Sequence, residues 1–253
     1  MYLKKFAVTA TAMLSAAALL AGCGDFYDVD IHTDSRNDGA APEYEENYIP
    51  EYNYEPEYAS VPLGSIYTIG SYPQTGRNDP IEWIVVECKD GDALLVSRYA
   101  LDSVSYHSRS EDVTWETSSI RSWLNGTFYN AAFSSAEKKM ILDSYCDGEG
   151  NLQYNIDGGR ETTDRVFMLS AFQANMYLPS DSERLCQPTP YAVKQGAYVN
   201  PNTGGCWWWL RNPGYTKHDA ASVNSDGSID LDDGSVNSPR GTVRPAIWIT
   251  LPN

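Results

Sequence analysis

The chain has 253 residues, 42% of them hydrophobic, and sets 34 Asp and Glu against 18 Lys and Arg for a formal charge of −16. That length suffices for one sizeable buried core or two small ones. The acidic balance excludes nucleic acid as a partner, because neutralising phosphates takes Lys and Arg, and it opposes lying flat on anionic lipid.

The first 22 residues read as an export signal. Lys4 and Lys5 give a basic start, residues 6–20 are apolar or small and carry no charge, and the stretch ends in Leu20-Ala21-Gly22-Cys23. The run is too short and too alanine-rich for a permanent membrane helix. A Leu and two small residues before a Cys resemble the lipobox of bacterial lipoproteins. The resemblance implies cleavage before Cys23 and a lipid on its sulfur, which places the protein on the extracytoplasmic face of a cell membrane. Acyl chains contribute about 0.8 kcal/mol per buried CH₂, so two or more anchor stably.

Residues 23–60 differ in kind. From residue 24 on they hold eleven acids and one Arg, and Pro-Glu-Tyr recurs at Pro42-Glu43-Tyr44, Pro50-Glu51-Tyr52 and Pro56-Glu57-Tyr58. So few aliphatic side chains cannot offset the entropy of ordering. An extended spacer is expected, with a reach on the order of 100 Å. Residues 61–253 contain all seven Trp and are expected to form one folded domain.

Within that domain, residues 65–70 and 81–86 read as strands. Lys89-Asp90-Gly91-Asp92 is a hairpin turn, and residues 93–97 are the returning strand. Residues 117–125 place Ile120, Trp123 and Leu124 on one helical face, with Gly126 as the stop. Ser134 with Glu137 is a capping box that predicts a helix to about residue 144. Residues 166–169 suggest a short strand, and Ser170 with Gln173 opens a helix to about residue 177. Short strands return at residues 207–211, 221–224, 228–231, 235–237 and 243–250, with Ser225-Asp226-Gly227 as a turn. Strands at both ends of a helical middle predict an α+β domain: an antiparallel sheet, two or three short helices and long loops, the first strand paired with the last.

Four cysteines remain after Cys23. No two have Cys-x-x-Cys spacing, which argues against a zinc ribbon or a thioredoxin-like site. Outside the cytoplasm they are free to pair. Cys186 with Cys206 is the favoured disulfide, and four buried thiols is the alternative.

Several segments resemble a bacterial family known only as domain of unknown function 6273. They are Pro80-Ile81-Glu82-Trp83, residues 93–97, residues 114–125, Trp207-Trp208-Trp209-Leu210-Arg211-Asn212-Pro213-Gly214, Val223-Asn224-Ser225-Asp226-Gly227 and Val243-Arg244-Pro245-Ala246-Ile247-Trp248-Ile249. The resemblance runs over nearly all of residues 61–253. It brings no assigned activity, and so no catalytic residue. Its closing Trp-Leu-Arg and Arg-Pro-Ala segments are similar to the C-type-lectin-like fold, an analogy at fold level.

Trp207 and Trp209 share one face of a strand, and a Trp left open to solvent stacks on sugar rings or anchors a protein. With Tyr215, His218, Asp226 and Asp232 they make up the expected ligand-binding set. Arg211 and Arg244 are expected to be structural, paired with carboxylates such as Glu82 or Asp102. Trp83, Trp123 and Trp248 are expected to be structural as well. Calcium at the Asp-rich hairpin is conceivable but not signalled, since its register does not fit an EF-hand, and no other cofactor, metal site or catalytic motif is evident. The expectation is a surface-displayed module that binds a glycan, wall polymer or protein. The alternative is an extracellular enzyme acting on envelope substrates.

Overall fold

A computed structural model describes residues 59–232 and 234–252. Cys23, the expected export signal and the expected spacer as far as residue 58 lie outside the described residues. The domain is mixed α+β, mostly antiparallel, with short helices. No helix among the described residues is long and apolar enough to cross a membrane.

The first sheet is antiparallel, in the order β1 (Ile66–Pro73), β2 (Asn78–Lys89), β3 (Asp92–Ser97) and β11 (Ala246–Thr250). β2 and β3 form the expected hairpin. Asp90 and Gly91 both take positive φ (53° and 86°), as a tight two-residue turn requires. The last strand pairs with β3 in the register Ala246↔Val96 to Thr250↔Asp92. It does not pair with β1, as the sequence suggested, so the first and last strands are the two edges. β3 is buried along its length because it lies centrally and both its faces are covered.

The second sheet runs β4 (Asp102–Ser103), β10 (Thr242–Val243), β7 (Trp208–Pro213), β8 (Ala220–Val223) and β9 (Ile229–Asp230). β10 is parallel to β7, and its other partner, β4, is antiparallel. The predicted strand over residues 243–250 is two strands. The chain leaves one sheet at Val243 and joins the other at Ala246, with Arg244-Pro245 as the corner. A two-stranded ribbon, β5 (Ser144–Cys146) with β6 (Thr162–Asp164), stands apart.

The helical middle departs from expectation in two places. α1 (Ser119–Trp123) does not stop at Gly126. It runs through a π-helical stretch (Leu124–Phe128) into α2 (Tyr129–Ala132). Ile120, Leu124, Phe128 and Ala132 are all buried at a spacing of four, and this continuous apolar face outweighs one glycine. The box at Ser134 forms, with Ser134 N–H on Glu137 at 2.8 Å and Glu137 N–H on Ser134 Oγ at 3.3 Å. Only a single 3₁₀ turn follows (Glu137–Lys139), because the Glu137 carboxylate also takes the Gly70 N–H at 2.8 Å and Ile141 bridges to Ile249. The Ser170–Gln173 box opens α3 (Ala171–Tyr177) as expected. Short α4 (Asp181–Arg184) and α5 (Pro190–Gln195) follow; the sequence reading did not foresee them. Residues 166–169 are buried and joined to β11 by a bridge at Phe167 rather than by a strand.

Candidate functional site

The three consecutive tryptophans divide as β-strand geometry dictates. Trp207 and Trp209 share a face, edge-on with ring centroids 4.7 Å apart. Trp208 is on the other face, donating to Arg184 O at 3.1 Å beneath the Arg244 guanidinium. Trp209, which the sequence reading placed among the ligand-binding residues, has no surface open to a ligand. It is fully enclosed, and its indole donates to Val104 O at 2.9 Å. Gly241 lies against its ring so closely that an added Cβ would come within 2.2 Å of the indole nitrogen. Trp207 stays half-buried against it.

Beyond β7 the chain carries its aromatic character to the surface. Tyr215 is 58% exposed. Its backbone is nonetheless fixed, with Gly214 N–H on Asp219 O at 2.8 Å and Tyr215 N–H on Asp232 O at 2.7 Å. The Tyr154 ring stands edge-on to Tyr215 at 4.8 Å, and its hydroxyl donates to Asp232. That bond to a carboxylate is the main cause of a raised Tyr154 pKa. Gln153 Nε2 donates to the same hydroxyl at 2.7 Å.

Asn151, which the sequence reading did not single out, assembles this surface. Its buried amide donates to Pro213 O (3.1 Å), Gly214 O (3.0 Å) and Leu231 O (2.8 Å), joining three segments. The tight Asn151–Ile156 bridge then presents Tyr154, with Asn155 at φ 54°. The result is two aromatic rings and a carboxylate on fixed backbone, with Tyr215 and Asp232 open to solvent and Tyr154 half-buried.

The structure thus brings Tyr215 and Asp232 together and separates the rest of the expected set. His218 lies in the loop that follows Tyr215, its ring paired with Asp112 at 2.9 Å. Asp226 sits at the tip of the β8–β9 hairpin, where it accepts from Ser228 N–H (3.0 Å) and Oγ (2.7 Å). Those bonds hold its carboxyl below the usual range. The tip packs on α4, with Arg184 Nε on Gly227 O at 2.8 Å. Among the described residues no group of three or more His, Cys, Asp or Glu side chains is arranged to hold a metal.

The expected structural residues are mostly where their chemistry suggests. Trp83 is fully buried and donates to Ile69 O at 2.9 Å. Trp123 packs on Phe128, and Trp248 is half-buried in β11. The expected partners of the two arginines are taken by others: Glu82 pairs with Arg98 at 2.7 Å, and Asp102 accepts from Tyr72 at 2.6 Å. Arg211 instead reaches Asp147, through its carbonyl (3.1 Å) and its carboxylate (3.2 Å), and Gln173 Oε1 (2.9 Å). Arg244 donates to two backbone carbonyls.

Cys186 and Cys206 face one another across an isolated antiparallel bridge as free thiols. Burial opposes ionisation of Cys186, but the Cys206 thiol, the Arg244 charge and the Ala100 N–H outweigh it and lower its pKa. The bond to Cys186, then burial, raises that of Cys206. Burial pushes Cys146 up to about 12, which leaves it an inert thiol.

A family model described as domain of unknown function (DUF6273) matches residues 90–251. The chain belongs to that family. The DUF6273 match begins at the β2–β3 turn and takes in β3 to β11, with Asn151, Tyr154, Tyr215 and Asp232 inside it. No curated protein and no solved structure shows significant similarity.

Proposed function

We propose that this DUF6273 protein is a surface-displayed binding module of C-type-lectin-like architecture, tethered outside the membrane by lipid on Cys23. The spacer of residues 24–60 lifts the domain away from the membrane through its own charge. The ligand is a glycan, wall polymer or surface protein, gripped at the patch of Tyr154, Tyr215 and Asp232.

One observation carries this reading: an exposed Tyr215 held edge-on to Tyr154, with Asp232 bonded to the Tyr154 hydroxyl, on backbone that is itself hydrogen-bonded in place. Rigid aromatic faces bind sugar rings and protein side chains at little entropic cost, and an adjacent carboxylate accepts from hydroxyls or amides. Such a preorganised surface suits recognition.

The test is a glycan and surface-protein array probed with the full chain. Saturable binding is expected, weakened about tenfold or more by Tyr215→Ala. That exposed substitution should leave stability within about 0.5 kcal/mol. An array with no ligand at millimolar concentration contradicts the reading. Cys23→Ser should release the protein from membranes. In the exported protein, Cys186 and Cys206 should resist alkylation until a reductant is added, as expected of opposed thiols in an oxidising compartment.

A further inference from the structure

A concave site elsewhere on the domain shares no residue with the Tyr154–Tyr215 patch. A cleft of about 820 Å³ opens between β2, the end of β3 and the α3–α4 segment. Leu63, Val86, Tyr99, Met176, Tyr177 and Leu185 contribute its wall, and Arg244 is part of its lining. The volume is that of a small-molecule site. Polar groups of Arg98, Ser182, Glu183 and Gln187 share the lining with the apolar side chains and Arg244.

Arg244 is unusual among the charges here. Only 1% of it is exposed. Nε donates to Ser97 O at 3.0 Å, Nη1 donates to Arg184 O at 3.1 Å, and the guanidinium lies 5.1 Å over the Trp208 ring. Among the described residues no carboxylate pairs with it and no acceptor takes Nη2. The acids around the cleft are committed elsewhere. Glu183 accepts from Ser180 N–H (2.9 Å) and Oγ (2.6 Å), Glu87 from the Tyr177 hydroxyl (2.5 Å), and Glu82 from Arg98 (2.7 Å). The Cys186 thiol lies in the field of Arg244, but it can neutralise that charge only as thiolate, and a disulfide to Cys206 would remove that option.

A buried charge that no carboxylate pairs with is costly, and a guanidinium presents paired donors that match a carboxylate. We propose that the cleft binds a small organic carboxylate. Its carboxylate takes the free donors of Arg244, and its ring or aliphatic body lies against Tyr99, Tyr177, Met176 and Leu185. The long-range field of this acidic protein repels anions, so affinity must come from this local pairing in a desolvated site.

The test uses the isotope-labelled full chain and follows the Trp208 indole N–H, which lies under the guanidinium, by NMR. Sodium benzoate is titrated against benzyl alcohol and inorganic phosphate. Benzoate should shift the signal saturably and bind at least about tenfold more tightly than the alcohol. Leu63→Trp, on a rim residue 67% exposed, should fill the cleft mouth and weaken benzoate by a similar factor without unfolding the domain. Tyr215→Ala should leave benzoate binding unchanged, which separates this site from the display patch. Equal binding of acid and alcohol, or no saturable shift at tens of millimolar, overturns the proposal. Phosphate binding as tightly as benzoate overturns the assignment to carboxylates.

Discussion

Arg211 in β7 and Arg244 at the corner between β10 and β11 are both buried, but they are neutralised differently. Arg211 reaches out to Asp147, whose side chain is 57% exposed, so its charge is paired and partly returned to water. Arg244 has only carbonyl dipoles and an indole face. Burial and residue type are the same in both places. The available partners differ: Arg211 has a carboxylate, although its Nε is left without an acceptor, whereas Arg244 has no carboxylate among the described residues. Asp102 is the mirror image: a buried carboxyl held by the Tyr72 hydroxyl and the Ser103 N–H, with no cation paired to it among the described residues.

The largest effect is expected at the most completely paired site. Asp164 is buried and accepts from Arg121 Nε (2.7 Å), Trp115 Nε1 (3.0 Å), Thr162 Oγ1 (2.6 Å) and Asn125 Nδ2 (3.2 Å). Asp164→Ala removes the acceptor of all four donors, of which Asn125 keeps other partners, and should cost about 3–5 kcal/mol in urea unfolding. Arg211→Met should cost about 2 kcal/mol, since it removes bonds to a charged partner while leaving Asp147 solvated. Arg244→Met should cost less, about 1 kcal/mol. It takes a donor from Ser97 O and from Arg184 O, which keeps the Trp208 indole N–H, but it also removes a buried charge that no carboxylate pairs with. A larger loss at Arg244 than at Arg211 would break the comparison.

A smaller effect follows at Asp102. Burial raises its pKa and outweighs the opposing bonds from Tyr72 and Ser103. The folded state therefore favours the protonated acid. Its contribution to stability is complete below the ordinary value of 3.8 and is lost as pH rises through the raised value. Asp102→Asn keeps an acceptor for Tyr72 and carries no charge. It should gain on the natural protein by less than about 1 kcal/mol as pH rises from 3 to 7, measured by unfolding across that range. A gain that shrinks with rising pH would contradict the burial account.

What was legible in the sequence was local. The β2–β3 turn depends on Asp90 and Gly91 alone, and α3 on Ser170 and Gln173. The box at Ser134 was equally plain and also formed, yet the helix ended after one turn because Gly70 and Ile249, remote in sequence, compete for its residues. Strand partnership was misread for the same reason: nothing within residues 243–250 says that β3 rather than β1 lies beside them. At the site, Tyr215 and Asp232 were legible as exposed loop residues. Tyr154 and Asn151 were not, because their role comes from contacts with segments some 60 to 80 residues away. Trp209 shows the converse. Its residue type pointed to ligand, while Gly241 and Val104 closed over it.

The most direct measurement of the difference between the two arginines is urea unfolding of the full chain in rising sodium benzoate, with benzyl alcohol as control. If Arg244 is the open cation, stability climbs with benzoate as RT ln(1 + [L]/Kd). The climb should shift to about tenfold higher benzoate in Leu63→Trp and persist unchanged in Asp147→Asn, which alters only the Arg211 side. A flat response to benzoate in the natural protein, or a climb matched by the alcohol, would contradict it.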